Sequence, residues 1–291
     1  MGCLLGALSV APASEFVEGG RHEAGVVIDS ISLPVYTDQT DLHARYSMRF
    51  GTPDEGIVPR GLENDLYRIP RIAVQAGWTW RGFDDIIREE SGNGPSGMVD
   101  GIFTSEAIPI HLRGTASFVD AEIDDRQDMS RLTFGGEAGM WLGDELLLFG
   151  SFTQDSYEYD LFFINQARFL EYDINDYGAH GRLLMPVEGN YHQVQANARY
   201  FTLDSPNVSY DWYEVSASYD YYPALTGNMG VTARVVLSED NPEIEGGQVG
   251  YRVEAYPGYT AIVRGTIEYF FPFDSDTNDG YVARLAWTFT F

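Results

Sequence analysis

Residues 280–291 read GYVARLAWTFTF, in which Tyr281, Ala283, Leu285, Trp287, Phe289 and Phe291 alternate with Val282, Arg284, Ala286, Thr288 and Thr290. Alternation with a period of two is the mark of a β-strand that presents one apolar and one polar face to different surroundings. The segment before it repeats the pattern, with Tyr259, Ala261, Val263, Gly265, Ile267 and Tyr269 on one side and Thr260, Ile262, Arg264, Thr266 and Glu268 on the other. Upstream, Val249, Tyr251, Val253 and Ala255 oppose Gln248, Gly250, Arg252 and Glu254. Val231, Ala233, Val235 and Leu237 oppose Thr232, Arg234 and Val236. The same phase recurs at Val194 to Tyr200, at Leu132 to Met140 and at Leu42 to Phe50.

These segments run to about ten residues or more, longer than the usual five or six of a soluble sheet and matched to a tilted strand that crosses a bilayer. Their apolar faces mix Ala and Gly with aromatics. A dry sandwich core needs large interdigitating side chains, whereas lipid tolerates such thin faces. The reading is therefore all-β: a transmembrane, antiparallel, up-and-down β-barrel.

Long connectors are read at Pro272 to Asp279, Glu239 to Gly246, Asp204 to Val208, Tyr157 to Asn175, Ile123 to Met129 and Asp84 to Ser96. Short turns are read at Pro257-Gly258, Pro223 to Gly227, Pro186 to Gly189, Gly143-Asp144 and Ile108-Pro109. Long external loops alternating with short periplasmic turns are the habit of outer-membrane barrels. The scheme gives about 14 strands, with both chain ends on the periplasmic side. The crossings near Gly25 to Pro34 and Asp41 to Gly51 are the weakest, and Thr52 to Arg68 is long for a periplasmic turn. If residues 14–68 form a separate N-terminal periplasmic element, about 12 strands remain.

Composition narrows the function. The chain of 291 residues has a formal net charge of -26, with 44 acidic residues against 18 basic ones, all arginine. Nucleic-acid binding wants a basic stripe and is excluded. Hydrophobic residues at 44% exclude a disordered acidic chain. The one cysteine, Cys3, allows no disulfide framework and no cysteine metal cage. Residues 1–13 read as the remnant of a secretory signal, whose Ala11-Pro12-Ala13 supplies the small-residue cleavage pattern. The barrel is then residues 14–291.

A terminal strand ending in Phe291, with Phe289 and Trp287 at alternate positions, resembles the C-terminal signal that the barrel-assembly machinery reads in bacterial outer-membrane β-barrel proteins. The resemblance implies a porin- or channel-like barrel in the outer membrane of a Gram-negative cell, surrounded by lipid and lipopolysaccharide. It names no narrower family and no solute.

If the apolar faces meet lipid, the opposite phase lines the lumen. That phase carries Arg45, Arg49, Arg71, Arg81, Arg113, Arg131, Arg182, Arg199, Arg234, Arg252, Arg264 and Arg284, accompanied by Glu137, Glu214, Asp220, Glu254 and Glu268. A lipid-facing arginine at the midplane costs about 2–4 kcal/mol, so a common inward phase is what the fold requires. One reading is a channel or transporter that passes small polar solutes, anions among them, through an Arg-rich lumen gated by the loop Tyr157 to Asn175. The other is a structural or surface-interaction barrel whose lumen is plugged by an arginine–carboxylate network, with acidic external loops that bind divalent cations.

Several strings resemble sites and fall short. Asp274, Asp276 and Asn278 give residues 274–280 a calcium-loop composition, but Gly280 comes one position late and Leu285 stands where the closing Glu belongs, so no metal site is assigned. Gly92 to Gly97 satisfies G-x-G-x-x-G, yet Pro95 spoils the turn and the string reads as a loop. Asp160 to Glu171 has roughly helical spacing and reads as a short amphipathic helix on a loop. The histidines His22, His43, His111, His180 and His192 show no metal spacing, and no His-x-Ser string suggests a barrel hydrolase. The expectation is a protein without catalytic residues and without a cofactor.

Overall fold

The structure, a computed structural model, describes residues 21–33, 37–50, 68–85, 88–105, 108–123, 127–163, 166–188, 190–206, 209–223, 227–238, 245–255, 261–273 and 280–290. The signal-like segment, the calcium-like loop and Phe291 lie outside them.

The described residues form strands and their connections. In chain order the strands are β1 (Arg21–Leu33), β2 (Thr37–Arg49), β3 (Arg71–Asp85), β4 (Arg88–Thr104), β5 (Ile110–Ile123), β6 (Gln127–Leu142) and β7 (Leu146–Phe163). They continue with β8 (Gln166–Val187), β9 (Asn190–Asp204), β10 (Ser209–Tyr222), β11 (Gly227–Leu237), β12 (Gly246–Ala255), β13 (Ala261–Pro272) and β14 (Gly280–Thr290). Each pairs antiparallel with its neighbours in sequence, and β1 also pairs with β14, from Glu23↔Thr290 to Ser32↔Tyr281, so the order returns on itself as a closed barrel. Closure leaves no strand edge with unpaired backbone groups. The N-terminal crossings that the sequence marks as weakest, and as a candidate periplasmic element, are thus barrel strands. The pairing of β1 with β2 and β14 removes the 12-strand alternative.

The alternation in the sequence sets which face each side chain takes. Every strand contributes at least one large exposed apolar residue to the outside: Val26, Leu42, Val74, Val99, Leu112, Phe134, Leu148, Tyr177, Val194, Val215, Val231, Val249, Ile267 and Leu285. Ile267 is 64% exposed and Val215 59%. An apolar belt around a whole circumference exceeds any patch that a water-soluble monomer leaves open.

Three connector readings need correction. The ends of Asp84 to Ser96, Ile123 to Met129 and Tyr157 to Asn175 are not loops but ladder: β3 and β4 pair out to Asp85↔Arg88, β5 and β6 to Ile123↔Gln127, and β7 and β8 to Phe163↔Gln166. Gly92 to Gly97 is part of β4, and the described residues of Asp160 to Glu171 are paired strand ends of β7 and β8 rather than a helix. The physical reason is that backbone pairing continues once begun. Turn-forming composition yields to it where cross-strand partners such as Tyr157 and Tyr172, stacked at 4.6 Å, hold the ladder. With strands this long, the longest break between strands on the side of the chain ends is the one between Arg49 and Arg71.

Candidate functional site

The barrel interior gathers side chains from the inward phase of each strand, and its character changes along the axis. At the end where the chain termini lie, Trp141, Leu147, Leu184 and Tyr222 form a buried apolar cluster, with Phe149 and Tyr191 packed against it. They occupy the last residues of β6, β8 and β10 and the first of β7 and β9. Arg68, just before β3, reaches this cluster from three strands away. Its Nη2 donates to Gly143 O at 2.7 Å and to Asp144 Oδ1 at 3.1 Å, and its guanidinium sits 4.9 Å from the Trp141 ring centroid. Arg68 and Ile69 are both buried. Residues 68–70, just ahead of β3, therefore turn inward at this mouth, and the Arg68 side chain narrows it.

Above that floor the wall is charged. Asp100 on β4, only 1% exposed, accepts from Arg71 Nη2 at 2.9 Å and from Arg113 Nε at 2.6 Å. Arg113 also donates to Glu137 Oε1 at 3.0 Å, and Glu137 meets His111 at 3.1 Å, so one network spans β3 to β6. A second joins β8 to β11, where Arg199 pairs with Asp176 and Glu214, and Glu214 with Arg234 at 3.1 Å. Arg131 pairs with Asp155 at 2.8 Å and lies over the Tyr157 ring. Arg252 pairs with Asp220, and Arg264 with Glu254.

Glycines decide which of these partners meet. Asp220 on β10 and Arg252 on β12 are separated by β11, where Gly230 stands between them. A Cβ there would overlap the Asp220 carboxylate. Gly77 on β3 likewise leaves room for His43 on β2 to come within 2.7 Å of Ser96 Oγ on β4.

Between the networks lies a cavity of about 670 Å³ lined by side chains from β1 to β6 and β9 to β13, among them Asp41, Arg45, Arg131, Asp220, Arg252, Arg264 and Glu268. Of the arginines read as pore-lining, Arg45, Arg131, Arg252 and Arg264 border it. Arg71, Arg113, Arg199 and Arg234 belong to the ion-pair networks, as do Glu137 and Glu214. Arg49 is buried and Arg182 half-buried in the same inward phase. The side chains of Arg81 and Arg284, and of Trp287 and Phe289 in the proposed assembly signal, lie outside the described ones, as do residues Asp274, Asp276 and Asn278. Among the described residues no group of acids, histidines or cysteines converges as metal ligands do.

Sequence reasoning missed Asp100, Asp155 and Asp176. Asp100 follows a Gly- and Pro-containing run that does not read as a strand, and the other two flank the stretch Tyr157 to Asn175 read as a loop, just before and just after it. It also missed a polar chain across four strands: Ser151 Oγ lies 2.7 Å from His180 Nε2, His180 Nδ1 lies 2.8 Å from Asn197 Oδ1, and Asn197 Nδ2 donates to Ser216 Oγ at 3.1 Å.

No protein-family model matches the chain, and no curated protein does. Solved structures do. Omp33, an outer membrane protein of Acinetobacter baumannii, superposes with a TM-score of 0.53 at 12% identity, over 94% of this chain and 99% of that one. The Pseudomonas putida toluene transporter TodX gives 0.51 at 7%, over 94% and 90%. A bacterial polysaccharide outer membrane secretin gives 0.53 at 7%, over 95% and 100%. At such identities the likeness establishes the fold, which is that of bacterial outer-membrane β-barrel proteins.

Proposed function

We propose that the chain spans the bacterial outer membrane and serves as a channel or transporter for small polar solutes. The observation that carries this reading is the polar cavity of about 670 Å³ inside a wall whose outer side carries exposed apolar side chains on every strand. An inside that needs water and an outside that needs hydrocarbon belong to a barrel wide enough to hold an aqueous path. The barrel-assembly machinery, reading Trp287, Phe289 and Phe291, is the expected insertion partner, with lipopolysaccharide around the belt.

The solute preference follows from the pairing. TodX is described as a monoaromatic hydrocarbon channel, but charged side chains on the wall here disfavour an apolar passenger. Each arginine network carries its own carboxylates, so their fields largely cancel, and preference for anions over neutral polar solutes is expected to be weak. Planar-bilayer recording on purified protein tests the reading. It predicts discrete openings with a reversal potential near zero in a salt gradient, and a larger conductance in Leu147→Ala, which trims the apolar floor. A folded barrel with no current and no solute uptake in proteoliposomes would overturn it. That result would favour the second reading, a plugged structural or surface-interaction barrel, for which the apolar floor and the contact of Arg68 with the β6–β7 turn are the supporting observations.

A further inference from the structure

We propose that Ser151 is an acyl-accepting nucleophile in the lumen wall, with His180 as its base and Asn197 as the residue that positions the base, and that it hydrolyses small carboxylic esters entering the cavity. This rests on the aqueous lumen inferred above and goes beyond transport.

A working nucleophile needs its base within hydrogen-bond reach and a third group to hold the base in the right tautomer. Asn197 Nδ2 donates to Ser216 Oγ, which turns Oδ1 toward His180. Oδ1 accepts only a proton carried on Nδ1, so the other ring nitrogen, Nε2, is left as an acceptor facing Ser151 Oγ at 2.7 Å. Phe149 stacks on the imidazole at 4.6 Å between centroids and 17° between planes, which fixes the ring. The three residues come from β7, β8 and β9, rigid elements of the wall.

Two further observations separate this site from an ordinary polar ladder. Gly178 lies directly opposite Ser151, and a Cβ there would collide with both Ser151 Oγ and His180 Nε2, so any other residue forbids the contact. The interior also contains an internal control. His43 and Ser96 meet across Gly77 at the same 2.7 Å, but among the described residues no asparagine bonds the other ring nitrogen of that histidine. Asn197 and Ser216 border the cavity, and His180 and Ser151 continue the relay from them along the wall at half-buried positions outside the cavity lining. The next inward position beyond Gly178 in the same row is Arg199, whose guanidinium is paired with Asp176 and Glu214.

The chemistry balances without an external reagent other than water. Ser151 Oγ attacks the ester carbonyl while its proton passes to His180 Nε2. That proton then goes to the departing alkoxide, which leaves as the alcohol. Water attacks the acyl-serine, giving its proton to Nε2, and the acyl–Oγ bond breaks as Oγ recovers a proton. The products are the carboxylic acid and the original hydroxyl.

The test uses the full chain folded in detergent micelles, with folding checked by heat-modifiability on gels, and a fluorophosphonate probe mapped by peptide mass spectrometry. Ser151 should label at least tenfold faster than Ser96, and Ser151→Ala should abolish that label. His180→Gln should slow it about 100-fold, the usual contribution of a positioned base. Asn197→Leu should lose at least tenfold, whereas Asn197→Asp, which keeps an acceptor for Nδ1, should restore labelling to within a few-fold. Hydrolysis of p-nitrophenyl acetate should follow the same order. Equal labelling of Ser96 and Ser151, or labelling of Ser151 indifferent to His180→Gln in a folded barrel, overturns the proposal. A wild-type barrel that conducts but does not label defeats this inference alone. One that labels at Ser151 but carries no current defeats the channel reading alone.

Discussion

The two faces of β10 are held by different means. Outward, Tyr213, Val215 and Tyr219 stand exposed, the two tyrosines meeting other outer-face rings: Tyr200 beside Tyr213, and His192 within 2.6 Å of the Tyr219 hydroxyl. Inward, Glu214 and Asp220 are buried and each has an arginine partner. The outer face is specified by a class of residue, since hydrocarbon accepts any apolar side chain. The inner face is specified by individual residues, because a buried charge is stable only beside its counter-charge.

Substitutions sharpen this contrast, and reversible urea unfolding in lipid vesicles reads them. The largest expected loss is on the inner face: Asp100→Leu strips Arg71 and Arg113 of a shared carboxylate and should cost about 3–5 kcal/mol. Val215→Arg on the outer face should cost about 2–4 kcal/mol, while Val215→Leu should be nearly silent. If Val215→Arg is also silent, the outer face does not meet lipid. Gly230→Ala, which drives a methyl into the Asp220 carboxylate, should cost about 1–3 kcal/mol by separating Asp220 from Arg252. Asp144→Ala should change stability by less than about 1 kcal/mol. The carboxylate is almost fully exposed, and Arg68 keeps its bond to Gly143 O and its place over Trp141.

The same contrast explains what could be read from the chain alone. The phase of Val231 to Leu237 against Thr232 to Val236 is a property of one strand, so the barrel and the inward direction of Arg131, Arg199 or Arg252 were legible. Partnership is not a one-strand property. Asp220 finds Arg252 only because the register of β10, β11 and β12 puts Gly230 between them. Ser151, His180 and Asn197 meet only because β7, β8 and β9 align, which no spacing along the chain reports. The misread connectors share one cause. Asp, Asn and Gly near Asp84, Asn93 and Asp173 favour turns locally, and the antiparallel ladder overrides that preference.

The central claim is that the outside of the wall meets hydrocarbon and the inside meets water, and single-cysteine scanning along β10 tests it most directly. In a Cys3→Ser background, cysteines at positions 215 to 218 are compared in proteoliposomes by reaction with a water-soluble maleimide and, once carrying a fluorophore, by quenching from nitroxide lipids. Positions 216 and 218 should react with the maleimide and resist quenching, and positions 215 and 217 should do the reverse. Reaction at all four positions, or quenching without alternation, would contradict it.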